Sequence, residues 1–139
     1  MQSQLNPYIS FNGTARQALE FYQSVFGGKL DLHTFGENGV PHDPSEANNI
    51  MHGMLEAENG ITFMASDTPK GMEYHEGSAI SMSLSGDNEA ELRGYFEKLS
   101  VGGNPGVPLE VAPWGDTFGM FTDKFGINWM VNIAGKKDT

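Results

Sequence analysis

Two stretches of the chain share one pattern and determine its fold: residues 9–28, ISFNGTARQALEFYQSVFGG, and residues 82–103, MSLSGDNEAELRGYFEKLSVGG. Each begins with a short segment of alternating residues, continues with apolar residues at helical spacing, and ends in Gly-Gly. Alternation favours a strand, and apolar spacings of three and four favour a helix. The final glycines supply the left-handed turn that ends many helices. A strand–helix unit is therefore predicted twice.

The starts of both predicted helices carry capping residues. Thr14 and Gln17 have the spacing of a capping box, in which the two side chains satisfy free backbone N–H groups. Asp87 or Asn88 can cap the second helix.

The repeat continues beyond the helices. Residues 51–66 align with residues 117–132 at a constant offset of 66, which matches Gly53 with Gly119 and Gly60 with Gly126. Both segments are typical of hairpins, with turns at Asn59-Gly60 and at residues 124–126. Each half is thus predicted to be strand–helix–strand–strand–strand. We expect one pseudo-twofold domain, with modules at residues 1–67 and 78–139 and a polar, Gly- and Pro-containing linker at residues 68–77.

Composition excludes several functional classes. Of the 139 residues, 38% are hydrophobic, which is enough for the core of one domain. Acids outnumber bases 18 to 8, giving a net charge of −10, and this balance disfavours nucleic acid as a partner. The sequence has no Cys, so disulfides, thiolate metal sites and thiol nucleophiles are excluded.

Other motifs that direct a chain to a cofactor or a membrane are missing from the sequence. It contains no P-loop, no Gly-x-Gly-x-x-Gly and no Gly-x-Ser-x-Gly, so nucleotide binding and the usual hydrolase elbow have no support. No apolar run approaches the roughly 18 residues of a membrane helix. The first residues lack the order of a signal peptide. We therefore expect a cytoplasmic protein without membrane contact.

Several stretches resemble the vicinal oxygen chelate superfamily, which includes glyoxalase I, bleomycin resistance proteins and extradiol dioxygenases, and especially its PhnB-like branch. They are LNPYISFNG (5–13), ALEFY (18–22), VFGG (25–28), FMASD (63–67), PWG (113–115) and DKFGINWMVN (123–132). The resemblance spans nearly the whole chain. It implies an α+β fold of two βαβββ modules forming a half-open, cup-shaped mixed sheet, with helices on the outer face and ligands inside. It also implies a homodimer.

The alternation of the hairpins predicts which residues face the cup. If Asp123 pairs with Ile127, Met120 faces Met130 and Phe118 faces Asn132. The equivalent register in the first module puts the following residues on one face: His52, Met54, Glu56, Thr62, Met64 and Ser66. Leu55, Ile61, Phe63 and Ala65 then face a helix. A two-residue Asn59-Gly60 turn would shift this register and move His52 outward, but the first register separates polar from apolar residues and is favoured.

The resemblance also predicts where metal ligands would lie. Metal-bearing members carry His or Gln on the first strand of each module and Glu on the last. The corresponding last-strand residues here are Met64 and Met130. The first-strand candidates are Asn6, Tyr8 or Ser10 in one half and Ile80, Met82 or their neighbours in the other. None is His or Glu, and thioethers suit copper(I) rather than Zn, Ni or Fe(II). No metal or other cofactor is therefore predicted. The alternative is a metal-dependent lyase or dioxygenase with a divalent metal on noncanonical ligands, for which His52 and Glu56 are candidates.

The predicted function is binding of a small apolar or aromatic molecule. Its predicted contacts are His52, Met54, Met64, Trp114, Phe118, Met120 and Met130, with Met82 a further candidate; flexible, polarizable methionines accept ligands of variable shape. Ordinary core packing of these residues, leaving only a dimeric interaction module, stays open.

His52 with Glu56 is either a general base or a hydrogen-bonded strand histidine. His33 and His42 are predicted to be solvated residues on or beside the long loop, and His75 a solvated residue of the linker. The 36–49 loop is a candidate lid.

Overall fold

The structure, a computed structural model, describes residues 5–37, 43–75, 77 and 79–135. The chain divides into two compact units, Met1–Glu76 and Gly77–Thr139. The segment predicted as a linker packs with the first unit, because the N–H of Thr68 donates to the carbonyl of Phe11 and that of Lys70 donates to the carboxylate of Glu46.

Each unit contains one helix and four strands. The first unit consists of β1 (Tyr8–Phe11), α1 (Ala15–Phe26), β2 (Lys29–Thr34), β3 (Ile50–Glu56) and β4 (Thr62–Asp67), with 3₁₀ turns at Pro44–Glu46 and Glu58–Gly60. The second consists of β5 (Met82–Gly86), α2 (Glu89–Ser100), β6 (Asn104–Val111), β7 (Thr117–Thr122) and β8 (Asn128–Ile133).

The two sheets have the same topology, which confirms the internal repeat. The strand orders are β1-β4-β3-β2 and β5-β8-β7-β6. In each sheet the first strand runs parallel to the last, and the remaining neighbours are antiparallel. The predicted α+β class, with two βαβββ modules and mixed sheets, is therefore confirmed.

One face of each sheet packs against its own helix. The predicted apolar stripe of α1 is buried, including Leu19, Tyr22 and Phe26. The Tyr22 ring meets Phe63 of β4 edge-on, with centroids 5.2 Å apart. In the second unit Phe96 of α2 meets Phe121 of β7 in the same way at 4.9 Å. Fully burying an aromatic side chain stabilises a fold by about 1.5–3 kcal/mol. These ring contacts are therefore a main part of the core of each unit.

Two glycines at equivalent positions let each helix approach its sheet. A Cβ at Gly53 would lie 2.5 Å from Leu19 Cδ1, and one at Gly119 would lie 2.8 Å from Phe96 Cε2. Both distances are shorter than carbon atoms tolerate. The alignment of Gly53 with Gly119 in the sequence therefore reflects the same packing requirement in both modules.

The start of α1 differs from the sequence prediction. Thr14 occupies the N-cap position but makes no side-chain capping hydrogen bond, so the predicted capping box with Gln17 is wrong. The N–H of Ala15 instead donates to Asp67 Oδ1, and the N–H of Ile50 donates to Asp67 Oδ2. In α2, Asn88 is the cap, accepting from the N–H of Glu91 as predicted.

Both hairpins have the favoured register. The N–H of Ala57 donates to the carbonyl of Ile61, and that of Asp123 donates to Ile127. Met54 therefore lies opposite Met64, and Met120 lies opposite Met130. The alternative two-residue turn at Asn59-Gly60 is excluded by this pairing.

Neither helix in the described part of the chain is long and apolar enough to cross a membrane.

Candidate functional site

The face of each sheet that points away from its helix carries the predicted site residues; we call it the helix-free face. In the first sheet, Gly53, Leu55, Phe63 and Ala65 are buried toward α1. Side chains alternate along a strand, so the intervening residues share the helix-free face. These are His52, Met54 and Glu56 on β3 and Thr62, Met64 and Ser66 on β4.

His52 is half-buried and lies among polar and aromatic neighbours. Its ring centroid is 6.0 Å from that of Tyr8. Its partner on β2 is His33. His33 therefore belongs to the strand beside the 36–49 segment, and it is exposed as expected.

Glu56 lies at the other end of the same strand. It pairs with Lys29 on β2 and Thr62 on β4 and is exposed. Strands rise about 3.3 Å per residue, so four residues separate His52 and Glu56 by about 13 Å. The structure does not bring these two predicted catalytic candidates within hydrogen-bonding reach of each other.

A cleft of about 350 Å³ lies at the end of this face. It is lined by Ser10 and Ser66 and by residues of the segment that follows β4, including Tyr74 and His75. His75 is exposed, with Nε2 lying 3.2 Å from Glu73 Oε2. Hydroxyl, phenol and imidazole groups therefore line the cleft beside the apolar side chains of Pro69 and Met72.

The helix-free face of the second sheet is apolar and aromatic. Met120 lies between Met130 on β8 and Val107 on β6. Phe118 lies opposite Asn132. The four predicted contacts Trp114, Phe118, Met120 and Met130 are thus neighbours in one unit.

Trp114 extends this aromatic surface. Its ring is tilted by 64° against Phe118, with centroids 5.9 Å apart. It remains 63% exposed, while Trp129, the other tryptophan, is 2% exposed on the opposite face of the sheet. Trp114 can therefore contact a molecule that reaches this face, and Trp129 cannot.

Polar side chains fix the end of this face. Asn132 Nδ2 donates to Asp116 Oδ2 at 2.9 Å. The N–H of Gly135 donates to Asp116 Oδ1 at 2.8 Å. These bonds join Asp116, just before β7, to β8 and to Gly135 after it, and they hold the Asn132 amide beside Phe118.

An apolar cleft of about 340 Å³ adjoins the same sheet. Its lining includes Phe96 of α2, Val107 of β6, and Met120 and Phe121 of β7. Ligand pockets begin at about 300 Å³, so the cleft has the size for a small molecule.

The strand positions that carry metal ligands in metal-bearing relatives hold other chemistry here. Tyr8 is the register partner of Met64, and Ser83 is the partner of Met130. A phenol, a hydroxyl and two thioethers do not suit Zn, Ni or Fe(II). Met82 pairs with buried Trp129 and shares its face, so the expectation that Met82 lines the helix-free face is wrong.

The 36–49 segment is described in part. Its base is closed by bonds from the N–H of Phe35 to Asn49 and from that of Gly36 to Ala47. The hydroxyl and the N–H of Ser45, followed by the charge of Lys70, lower the pKa of Asp43. Residues 38–42, including His42, lie outside the described residues, and a lid role stays a prediction.

Comparison with known proteins agrees with this architecture. The sequence profile of the Glyoxalase/Bleomycin resistance protein/Dioxygenase superfamily matches residues 4–131. Protein YjdN of Escherichia coli (strain K12) is 28% identical over 147 residues, covering 97% of this chain and 98% of that protein.

Two solved structures extend the comparison. Protein PA1353 from Pseudomonas aeruginosa has a TM-score of 0.88 at 36% identity, covering 97% of this chain and all (100%) of that one. A Bacillus cereus protein described as "Putative 3-demethylubiquinone-9 3-methyltransferase, PhnB protein" has a TM-score of 0.76 at 27% identity, covering 95% and 100%. The chain therefore belongs to the glyoxalase/bleomycin resistance/dioxygenase (vicinal oxygen chelate) superfamily and, within it, to the PhnB-like branch.

Proposed function

We propose that this protein binds a small apolar or aromatic molecule, with its principal contacts on the helix-free face of the second sheet. The observation that carries the proposal is the contiguous surface of Trp114, Phe118, Met120 and Met130. Rings and thioethers at adjacent positions provide a surface that many apolar shapes can occupy. The first sheet offers a second, smaller surface of the same kind, where Met54 lies opposite Met64.

The exposure of Trp114 supports binding rather than core packing. A core tryptophan is buried in the way that Trp129 is, with its N–H bonded 2.8 Å from Asp123 Oδ2. The Trp114 ring instead touches Phe118 with one edge and leaves most of its surface to solvent. An exposed indole beside a phenyl ring contributes strongly when a ligand covers it.

The proposed binding needs no metal at the paired first and last strands of each unit, where Tyr8, Met64, Ser83 and Met130 lie. Nor do we extend the methyltransferase name of the Bacillus cereus relative to this chain. The usual methyl-donor site is a Gly-rich turn after a strand of a parallel sheet, and the sequence has no Gly-x-Gly-x-x-Gly.

The proposal is tested by titrating the uncharged fluorescent probe N-phenylnaphthylamine into protein dialysed against EDTA. We expect saturable enhancement of its emission and energy transfer from tryptophan. Trp114→Ala should weaken binding about fivefold or more, since loss of an aromatic anchor costs more than about 1 kcal/mol. Val101→Ser is the matched control, because Val101 is equally exposed at the end of α2.

Two outcomes would contradict the proposal. One is a linear, unsaturable response of the unaltered protein. The other is equal binding by Trp114→Ala and Val101→Ser, which would place the probe elsewhere. If the probe binds saturably and its binding depends on Trp114, the molecules of a metabolite panel that displace it identify the ligand class.

The oligomeric state belongs to the same proposal. From the family resemblance we propose a homodimer in the cytoplasm. Light scattering coupled to size-exclusion chromatography should give twice the mass of the chain, and a mass of one chain at micromolar concentration would contradict the dimer.

A further inference from the structure

His33 and His52 lie directly opposite each other on the neighbouring strands β2 and β3. Directly opposed residues on antiparallel strands share a face, with Cβ atoms about 4.5–5.5 Å apart. Two imidazoles at that separation can hold one ion between them, because metal–nitrogen bonds are about 2.0–2.1 Å long. We propose that His33 and His52 together bind a late divalent transition-metal ion of the Zn²⁺, Ni²⁺ or Cu²⁺ class, which imidazole prefers.

The surroundings of the pair favour access and orientation. His33 is exposed and His52 is half-buried against Tyr8, so an ion can reach both rings from solvent. The strand pairing shifts immediately after His33, where Thr34 pairs with Ile50. Such bulges redirect side chains and occur next to functional sites.

The overall charge of the chain also favours a cation. Asp31, two residues before His33 on the same face of β2, is half-buried, and its carboxylate lies 3.8 Å from Lys29 Nζ. Glu56 and Lys29 lie opposite each other further along this face, and their charges offset. The whole chain carries a net charge of −10, which raises the concentration of cations near its surface.

The site differs from the metal site of metal-bearing relatives in both position and ligands. It uses β2 and β3, whereas the relatives' ligands belong to the first and last strands. The described residues contain no group of three or more His, Asp or Glu side chains placed to share an ion. Water or a bound molecule would therefore complete the coordination, as in zinc sites that keep an open position. His33, rather than the distant Glu56, is the partner of His52.

The experiment is a calorimetric titration of Ni²⁺, repeated with Zn²⁺, into tag-free protein freed of metal with EDTA. The variants are His33→Ala and His52→Ala, and His75→Ala is the matched control because His75 is exposed on the segment after β4. We expect about one ion per chain for the unaltered protein and for His75→Ala. His33→Ala and His52→Ala should each bind Ni²⁺ about tenfold or more weakly. Removing even a residue that only hydrogen-bonds to a metal ligand costs about tenfold in affinity.

Equal affinities in all variants, loss confined to His75→Ala, or no binding at millimolar Ni²⁺ would each overturn the inference. His33 is exposed, so His33→Ala keeps the test valid even if His52→Ala does not fold. Electron paramagnetic resonance of the Cu²⁺ complex adds a direct readout: nitrogen coupling from two imidazoles is expected, falling to one in His33→Ala. The probe titration proposed above does not depend on this outcome, so either proposal can fail alone.

Discussion

The backbone N–H of Ala15 donates to Asp67 Oδ1 at 2.9 Å, so the first turn of α1 is capped by a residue 52 positions away in the sequence. The same carboxylate accepts from the N–H of Ile50 at the start of β3. Asp67 is 3% exposed and ends β4. One buried side chain thus joins the helix, the third strand and the fourth strand of the first unit.

Replacing Asp67 should destabilise the protein far more than replacing the residue at the N-cap position. We expect Asp67→Ala to lower the free energy of unfolding by about 2–3 kcal/mol, because a cap and a second charge-assisted bond are lost. Thr14→Ala should change it by less than about 0.5 kcal/mol, since the Thr14 side chain makes no cap bond. Urea unfolding followed by circular dichroism measures both, and the reverse order would show that Thr14 is the functional cap.

Glycine-to-alanine changes should have opposite signs at two positions of the second unit. Gly119→Ala places a methyl group 2.8 Å from the Phe96 ring and 3.0 Å from the Val107 carbonyl oxygen, so we expect a loss of about 1–3 kcal/mol from overpacking. Gly94 lies within α2, and a Cβ added there would have no other heavy atom within 4 Å beyond the helix's own nearby backbone. Gly94→Ala should stabilise the helix by about 0.5–1 kcal/mol. Thermal unfolding of the two variants checks the signs, and stabilisation by Gly119→Ala would contradict the packing described.

Local patterns in the sequence were sufficient to predict the helices, the repeat and the hairpin register. The register follows because only one pairing places the polar residues Glu56 and Thr62 on one face and the apolar residues Leu55 and Phe63 on the other. The capping of α1 could not be predicted in this way. Thr14 and Gln17 have a favourable local spacing, but Asp67 is 52 positions from Ala15 and lies beside the helix because β4 pairs with β1.

The candidate site was predicted only in part, because local alternation groups residues within a hairpin but not across a long connection. Alternation grouped Met120 with Met130 and Phe118 with Asn132. It did not associate His33 with His52, because the long segment at residues 36–49 separates β2 from β3 and local alternation does not give the register across it. β6 also departs from what its residues favour, because Pro105 and Pro108 argue against a strand. β6 is an edge strand, and it accommodates both prolines with two register shifts.

If the helix-free face of the second sheet binds ligands as proposed, it should prefer cations over anions of the same shape. Glu110 lies opposite Phe118 at its edge and is exposed. A naphthalene carrying a quaternary ammonium group should therefore bind more tightly than one carrying a carboxylate. Glu110→Gln should reduce this preference by up to about fivefold, as expected for an exposed charge pair worth less than about 1 kcal/mol. Glu97→Gln, on the exposed side of α2, is the control, and an equal effect of both variants in displacement titrations would indicate only a general charge effect.

The contribution of Asp43 to stability should depend on pH. The hydroxyl and N–H of Ser45 and the nearby Lys70 hold the pKa of Asp43 below its ordinary value of 3.8. A carboxylate with a depressed folded-state pKa stabilises the fold above its unfolded pKa, and this stabilisation is lost as the pH falls through the folded-state value. The urea midpoints of the unaltered protein and Asp43→Asn should therefore differ at neutral pH and converge in acid. A difference that stays constant below pH 3.8 would mean that Asp43 acts through hydrogen bonds that do not require its charge.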